Sequence, residues 1–426
     1  MKMYRIEGTM EAPVALKRDR QSDRSETVQS IPGTTLRGAI ATVYLQQKGQ
    51  VDETFRSLFL NEEECRFGPL DPAPDIYPLT MSACKRRPTE HPVVDQLAYR
   101  VAQHLAHGKV ASEAEARFRT CSERSCGADL KPHTGFYRNG GQGTVEVAAD
   151  ARHVAAHVGI DRATGTAADG IFYTLEALPP QFGDEAPGLI GWVQATEQAI
   201  RVLRSVLAEE DNTIYLGHHR TRGYGRVRLV VADEPIREGE EGAETWAAWS
   251  DSMLRFVERA RAETDGRLVP GAPRLDPQQD TLFAISLPTG AVLVDPLLRY
   301  TNDLSAMVPW LPPLPDPARL FPVDQRTAEH VDGVGSIRCI TAVVRQQLLR
   351  GWNAAHGLPR QDEWLVARGS VYVYWLRGPA EAREQLFEML SSFAATGVGL
   401  RRNEGYGQVV VNDPIHCQPL VEEVRP

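Results

Sequence analysis

A chain of 426 residues, 42% hydrophobic and 24% charged, can bury the cores of two ordinary domains, and this composition excludes a fibrous or broadly disordered protein. The formal charge of −9, from 47 basic and 56 acidic residues, excludes a global positive field for nucleic acid, so any RNA site has to be local. No stretch approaches the roughly eighteen uncharged apolar residues of a membrane span, and MKMYRIEGTM lacks an apolar leader, so the expectation is a cytoplasmic protein with reduced cysteines.

In chain order, residues 3–10 alternate apolar and polar side chains as a half-buried strand does, and the polar run Lys17 to Ser30 reads as a mobile loop. In IPGTTLRGAIATVYLQQ, Pro32 and Gly33 punctuate and Thr34 or Thr35 can cap. Leu36, Ile40, Val43 and Tyr44 then recur at helical spacing, with Arg37 in the first turn. Residues 61–150 are rich in Pro, Cys, His and Arg, with one helix near Val93 to His107 and few strand signals, so they read as an insertion. Gly170 to Leu178 reads as a strand, Leu189 to Ala208 as an amphipathic helix, and Gly225 to Ala232 as a strand.

An acidic stretch, Arg237 to Glu244, a helix through Arg261 and the Pro/Gly-rich VPGAPRLDPQQD place a boundary near residue 275. Beyond it, Thr281 to Leu287, Ser370 to Leu376 and Gly407 to Val411 read as strands and Ala380 to Ala395 as a helix. The expected fold is α+β, with two ferredoxin-like (RRM-like) domains. Residues 1–240 form the first and carry a Cys/His-rich, zinc-binding insertion at about 61–150; residues 241–280 are linker and helix; residues 281–426 form the second.

Two loops match each other: GHHRTRGYGRVRL (Gly217 to Leu229) and GVGLRRNEGYGQVVV (Gly397 to Val411) each set glycines around arginines and end in Gly-Tyr-Gly before a strand. Glycines let backbone amides approach a phosphate, arginines neutralise it, and a tyrosine can stack on a base. This nominates Arg220, Arg222, Gly223, Tyr224 and Gly225, and again Arg401, Arg402, Gly405, Tyr406 and Gly407, as RNA-binding residues. Either loop alone reads equally as a tight helix-to-strand turn; finding it twice at equivalent places favours the functional reading.

Cys84, His91, Cys121 and Cys126 offer the thiolate and imidazole donors of a structural Zn²⁺ site, with Cys65 as the other candidate for the fourth position. The Cys-x₄-Cys spacing is wide for a zinc knuckle. The paired histidines, His218 and His219 among them, fit no HExxH frame, and no P-loop, dinucleotide fingerprint or nucleophile elbow is present. His219 beside the loop arginines is a candidate general base on a 2′-hydroxyl. Trp246, Trp249 and Trp310 read as packing residues.

IPGTTLRGAI together with a Gly-Tyr-Gly loop before a terminal strand resembles the signature of CRISPR RAMP proteins. HVGIDRATGTAADGIFYTLEAL, read as a basic, glycine-punctuated hairpin arm, is similar to that family's pattern, and GWNAAHGLPR and RGSVYVYW resemble the type III-D Csx group. The resemblance implies a group-5-like, non-catalytic subunit of a type III effector complex. Such a subunit contacts the repeat-derived 5′ handle of the crRNA beside the large cyclase subunit and other RAMP subunits, meeting target RNA only indirectly. It points to Arg37 as well as the loop arginines. The rival it carries is a RAMP endoribonuclease using Asp23 or Asp161, or His219. A protein scaffold that touches no RNA is the third reading.

Overall fold

The computed structural model describes residues 1–16, 27–105, 120–121, 123, 126–140, 143–147, 152–180, 188–236, 242–262, 275–314, 329–331, 335–353 and 356–417. They form two units. The first comprises Met1–Asp75, Gly135–Glu238 and Arg401–Gly405; the second comprises Ile76–Thr134, Gly239–Leu400 and Tyr406–Pro426.

The first unit runs β1 (Lys2–Met10), α1 (Gly33–Lys48), α2 (Glu53–Leu60), β2 (Cys65–Asp71), β3 (His153–Ile160), β4 (Ala167–Ala177), β5 (Leu189–Ala195), α3 (Glu197–Ala208), β6 (Thr213–Tyr215) and β7 (Arg226–Pro235). Its five-stranded sheet has the order β6-β7-β1-β5-β2 with antiparallel neighbours throughout. Leaving out β6, the path β1-α1-β2-β5-α3-β7 places the last strand beside the first and the third between the first and second. Alternation in β1 buries Tyr4, Ile6 and Met10 against Leu36, Ile40 and Tyr44 of α1 and Ile200, Leu203 and Leu207 of α3. Strands β3 and β4 stand apart as a two-stranded hairpin.

Three expectations change here. The helix expected over Leu189 to Ala208 is a strand followed by a helix. Leu-Ile-Gly-Trp-Val-Gln-Ala is β-prone, and Thr196, accepting the Ala199 N–H at 3.3 Å, caps α3 only at Glu197. Helix α1 takes no hydroxyl cap from Thr34 or Thr35; Pro32, at φ −60° and ψ 145°, is the N-cap residue. Residues 65–71, expected within an insertion poor in strands, form the buried edge strand β2 of the main sheet.

The second unit holds α4 (Ala243–Ala262), β8 (Asp280–Leu287), β9 (Glu329–Val331), β10 (Gly335–Val343), β11 (Ser370–Arg377), α5 (Ala380–Thr396) and β12 (Val410–Val411). The sheet order is β9-β10-β11-β8-β12, again antiparallel throughout. The path β8-β10-β11-α5-β12 repeats that of the first unit, with a 3₁₀ turn at Leu304–Ala306 between β8 and β10. Every residue of β8 is buried because both faces are covered. Phe283 and Ile285, with Tyr372 and Tyr374, meet Leu386 and Leu390 of α5. Leu282 and Ala284, with Val371 and Val373, meet Trp249 and Met253 of α4 and the helix Leu97–Leu105.

That last helix lies, in sequence, inside the stretch expected as an insertion of the first domain. Leu97, Val101 and Leu105 make one apolar face, and the surface that face covers belongs to the second sheet. Ahead of it, Met81–Cys84 pairs on one side with Val94–Asp95 and on the other with Leu130–Pro132. Trp246 and Trp249 are buried, and Trp310 packs edge-on against Phe393 at 5.9 Å. Among the described residues, no helix is long and apolar enough to cross a membrane.

Candidate nucleic-acid interface and metal centre

The two glycine loops are one structure made twice. In the first, Leu216 N–H donates to Gly225 O at 2.8 Å, His218 N–H to Ala15 O at 2.9 Å and Gly225 N–H to Pro13 O at 2.8 Å. In the second, Val398 N–H donates to Gly407 O at 2.8 Å, Leu400 N–H to Val292 O at 2.9 Å and Gly407 N–H to Gly290 O at 2.7 Å. Each holds a 3₁₀ turn, Arg220–Arg222 or Arg402–Glu404, entered from a left-handed residue (His219, φ 61°; Arg401, φ 64°) and left through a left-handed glycine (Gly223, φ 84°; Gly405, φ 86°). A Cβ on Gly225 would lie 2.2 Å from Leu216 O, and one on Gly407 1.8 Å from Val398 O, so close backbone approach requires glycine at both.

What surrounds the turns differs. Within the first unit, Glu404 is buried and accepts from Arg37 Nη2 at 2.8 Å and from Arg401 Nη1 at 3.2 Å, while Arg37 Nη1 donates to Phe59 O at 2.6 Å. Arg402 bonds the carboxylates of Glu62 and Glu63, and Asn403 Nδ2 donates to Phe59 O at 3.3 Å. A Cβ on Gly33, at the start of α1, would meet Phe67 O at 2.0 Å and Glu404 O at 2.5 Å. Arg37, Arg401 and Arg402, all expected on phosphate, thus have carboxylate partners in their own chain.

The first turn is open. Arg220, Thr221, Arg222 and Gly223 are exposed, and a Cβ on Gly223 would meet nothing within 4 Å, whereas one on its counterpart Gly405 would lie 2.3 Å from Phe67 O. Arg220 Nε donates to Gly217 O at 3.2 Å. Arg222 Nη1 donates to Tyr173 Oη at 2.7 Å, and the Tyr173 ring stacks on His157 at 5.2 Å. Tyr224, expected to stack on a base, is buried with Ala15, Leu175 and Ala177 and fixes the loop instead.

Loop and hairpin therefore meet through Arg222 and Tyr173, a pairing for which the adjacent aromatics of GIFYTLEAL were the only sequence signal. The hairpin expected to be basic has an apolar outer face: Phe172, 71% exposed, pairs with Val158, and Val154 and Ile160 are also exposed. The Asp161 carboxylate accepts the Ala163 N–H at 2.7 Å within the hairpin turn. His219 sets its ring against Tyr224 at 6.1 Å, and His218 is exposed. Asp23 lies outside the described residues.

In the second unit, Cys84, His91, Cys121 and Cys126 place one ligand atom each within 4.8 Å of all the others. The Cys84 and Cys126 sulfurs are 3.7 Å apart, and His91 Nδ1 is 3.1 Å from Cys121 Sγ. Tetrahedral bonds of about 2.3 Å to sulfur and 2.0 Å to nitrogen put ligand atoms roughly 3.5–3.8 Å apart, so this set could hold a metal ion. Burial pushes the Cys84 thiol up, but the Arg87 and Arg86 amides, Cys126 and His91 outweigh it, bringing Cys84 down to about 6. Cys121 is pushed up, first by burial and then by the neighbouring Cys84 and Cys126. Cys65, the alternative fourth ligand, sits in the apolar core of the first unit, and its thiol is raised by that burial.

A family model described as the RAMP superfamily matches residues 13–228. No curated protein matches the chain. Among solved structures, a subunit of the type III-B Cmr-beta complex bound to cognate target RNA is similar at 14% identity and TM-score 0.29, over 54% of this chain and 96% of that one. A chain of the Cmr-beta complex bound to cognate target RNA and AMPPnP is similar at 9% identity and TM-score 0.39, over 91% and 88%. Cmr4 from Pyrococcus furiosus, crystallised as an oligomer, is similar at 11% identity and TM-score 0.23, over 55% and 98%.

Proposed function

Because the chain belongs to the RAMP superfamily, we propose that it is a crRNA-binding structural subunit of a type III CRISPR effector complex, of the III-D Csx, group-5-like kind. It grips the 5′ handle region of the guide in the cytoplasm, between the large cyclase subunit and the backbone RAMP subunits. Both units are ferredoxin-like halves in this reading, and the Cys84, His91, Cys121 and Cys126 centre holds a structural Zn²⁺ that closes a segment with little core of its own.

The observation that carries the proposal is the asymmetry of the duplicated loop. The turn Arg402–Glu404 is engaged by Arg37, Glu62 and Phe59, whereas the turn Arg220–Arg222 keeps the same backbone with its arginines exposed and Arg222 bonded to Tyr173. Cations for phosphate and exposed aromatic rings for bases are what a single-stranded guide requires. Arg220 and Arg222 are the phosphate contacts; Arg37, Arg401 and Arg402 shape the protein.

Filter binding of the repeat-derived RNA to the R220E/R222E double variant should show at least tenfold weaker affinity. The log-log salt slope should be shallower by about 0.7 for each phosphate the variant no longer neutralises. Wild-type affinity and slope in that variant would remove the loop from the interface.

A further inference from the structure

The metal-ligand segment and the C-terminal turn of the second unit share one carboxylate. Asp95 lies opposite Met81 in the short ladder that closes the excursion carrying Cys84 and His91. Its Oδ1 accepts the Leu97 N–H at 3.1 Å, capping the helix Leu97–Leu105, and its Oδ2 meets His416 Nδ1 at 2.7 Å. The other imidazole nitrogen, Nε2, is 3.4 Å from Ser286 Oγ in β8.

His416, with none of its surface exposed, belongs to the 3₁₀ turn Pro414–Cys417 just after β12. Burial pulls the imidazole pKa down, Asp95 pulls it up, and the net shift is upward. Between strand and turn, Asn412 is stitched to β8 by its N–H on Ala284 O at 2.9 Å and by Ala284 N–H on its Oδ1 at 2.8 Å.

The ladder that holds Asp95 is short: Met81↔Asp95 and Ser82↔Val94, extended by the Gln96 N–H on Thr80 O at 3.0 Å. So short a ladder is marginal by itself, and among the described residues the excursion has, on the Cys84 side of it, no core helix to anchor it as Leu97–Leu105 anchors the Asp95 side. At the far end of the same excursion are the ligand atoms of Cys84 and His91, so closing them around an ion shortens the loop whose other end is Asp95. A buried carboxylate and imidazole that lose each other leave two unsatisfied polar groups, so His416 keeps its seat only while Asp95 keeps its own.

We propose that the Cys/His centre braces the C-terminal edge of the second sheet: ligand closure at Cys84 and His91 fixes Asp95, which fixes His416 and the turn behind β12. The inference rests on the centre taking Zn²⁺ and is independent of the RNA reading.

Hydrogen exchange on the full chain, with metal content measured on the same samples, tests it. Stripping zinc with a chelator should speed exchange at 410–417 at least tenfold together with 81–95, and added Zn²⁺ should restore both. In the metal-loaded His416→Ala variant, 410–417 should exchange fast while 81–84 stays slow, and chelation should then change 410–417 by less than twofold. If chelation frees 81–95 while 410–417 stays protected in the wild-type protein, the coupling does not exist; that arm needs no variant to fold. A chain that binds no added Zn²⁺ also overturns the proposal, and the metal measurement separates that failure from a lack of coupling.

Discussion

Arg37→Ala should cost the first unit about 3 kcal/mol, because it removes one partner of a largely buried ion pair from the Glu404 carboxylate, which Arg401 also bonds. The side chain of Glu404 is 4% exposed and that of Arg37 19%, so water can replace little of the lost interaction. The Phe59 carbonyl loses its 2.6 Å donor as well. Arg37→Lys keeps the charge without the two-pronged donor and should recover about half of the loss. Urea denaturation followed by a probe in the first unit measures this. RNA affinity under native conditions should change far less than in the R220E/R222E variant. An R37A protein of wild-type stability but without RNA binding would return Arg37 to the phosphate role expected from its sequence.

Removing the metal should have the larger effect, confined to the second unit. Structural zinc contributes on the order of 10 kcal/mol or more to small sites near neutral pH. Among the described residues of 81–132, the other closures are chiefly short ladders and the helix Leu97–Leu105. A chelator should therefore expose it to proteolysis and lower the second unit's unfolding midpoint, and Cys121→Ser should do the same without chelator. The pH dependence has a defined sign. The Cys84 pKa is depressed from 9.0 to about 6 in the folded chain, so its contribution is complete above 9.0 and is lost as pH falls through about 6. The Cys84 contribution should accordingly make metal-free protein less stable at pH 5 than at pH 8, against the opposite contribution of the raised His416, and acid should release bound metal. Atomic emission analysis with limited proteolysis reads both, and proteolysis indifferent to chelator would contradict the assignment.

Features set by local backbone chemistry were legible in the sequence. Glycines that must take φ near +80° marked both loops, and Leu36, Ile40, Val43 and Tyr44 marked the buried face of α1. The grouping of Cys84, His91, Cys121 and Cys126 was legible because closely spaced cysteines and histidine are the donor types of a metal site. Features set by distant partners were not. Nothing near Arg37 announces Glu404, which lies 367 residues away, so their ion pair could not be read from the sequence. The Leu97–Leu105 face shows that something is buried without showing that the second sheet is what it covers. LIGWVQA preceding a capped helix merged with that helix because its apolar residues suit either period. The hairpin's charges drew attention away from Val154, Val158 and Phe172, whose common outward face appears only once the register is known.

Guide binding is tested most directly by the RNA that travels with the protein. The tagged chain, co-expressed with its genomic neighbours and purified, should carry short RNAs sharing one repeat-derived 5′ end, and the R220E/R222E variant should carry at least tenfold less. Purified complexes that contain the neighbouring subunits but no such RNA would contradict the guide-binding role and leave a metal-braced protein scaffold.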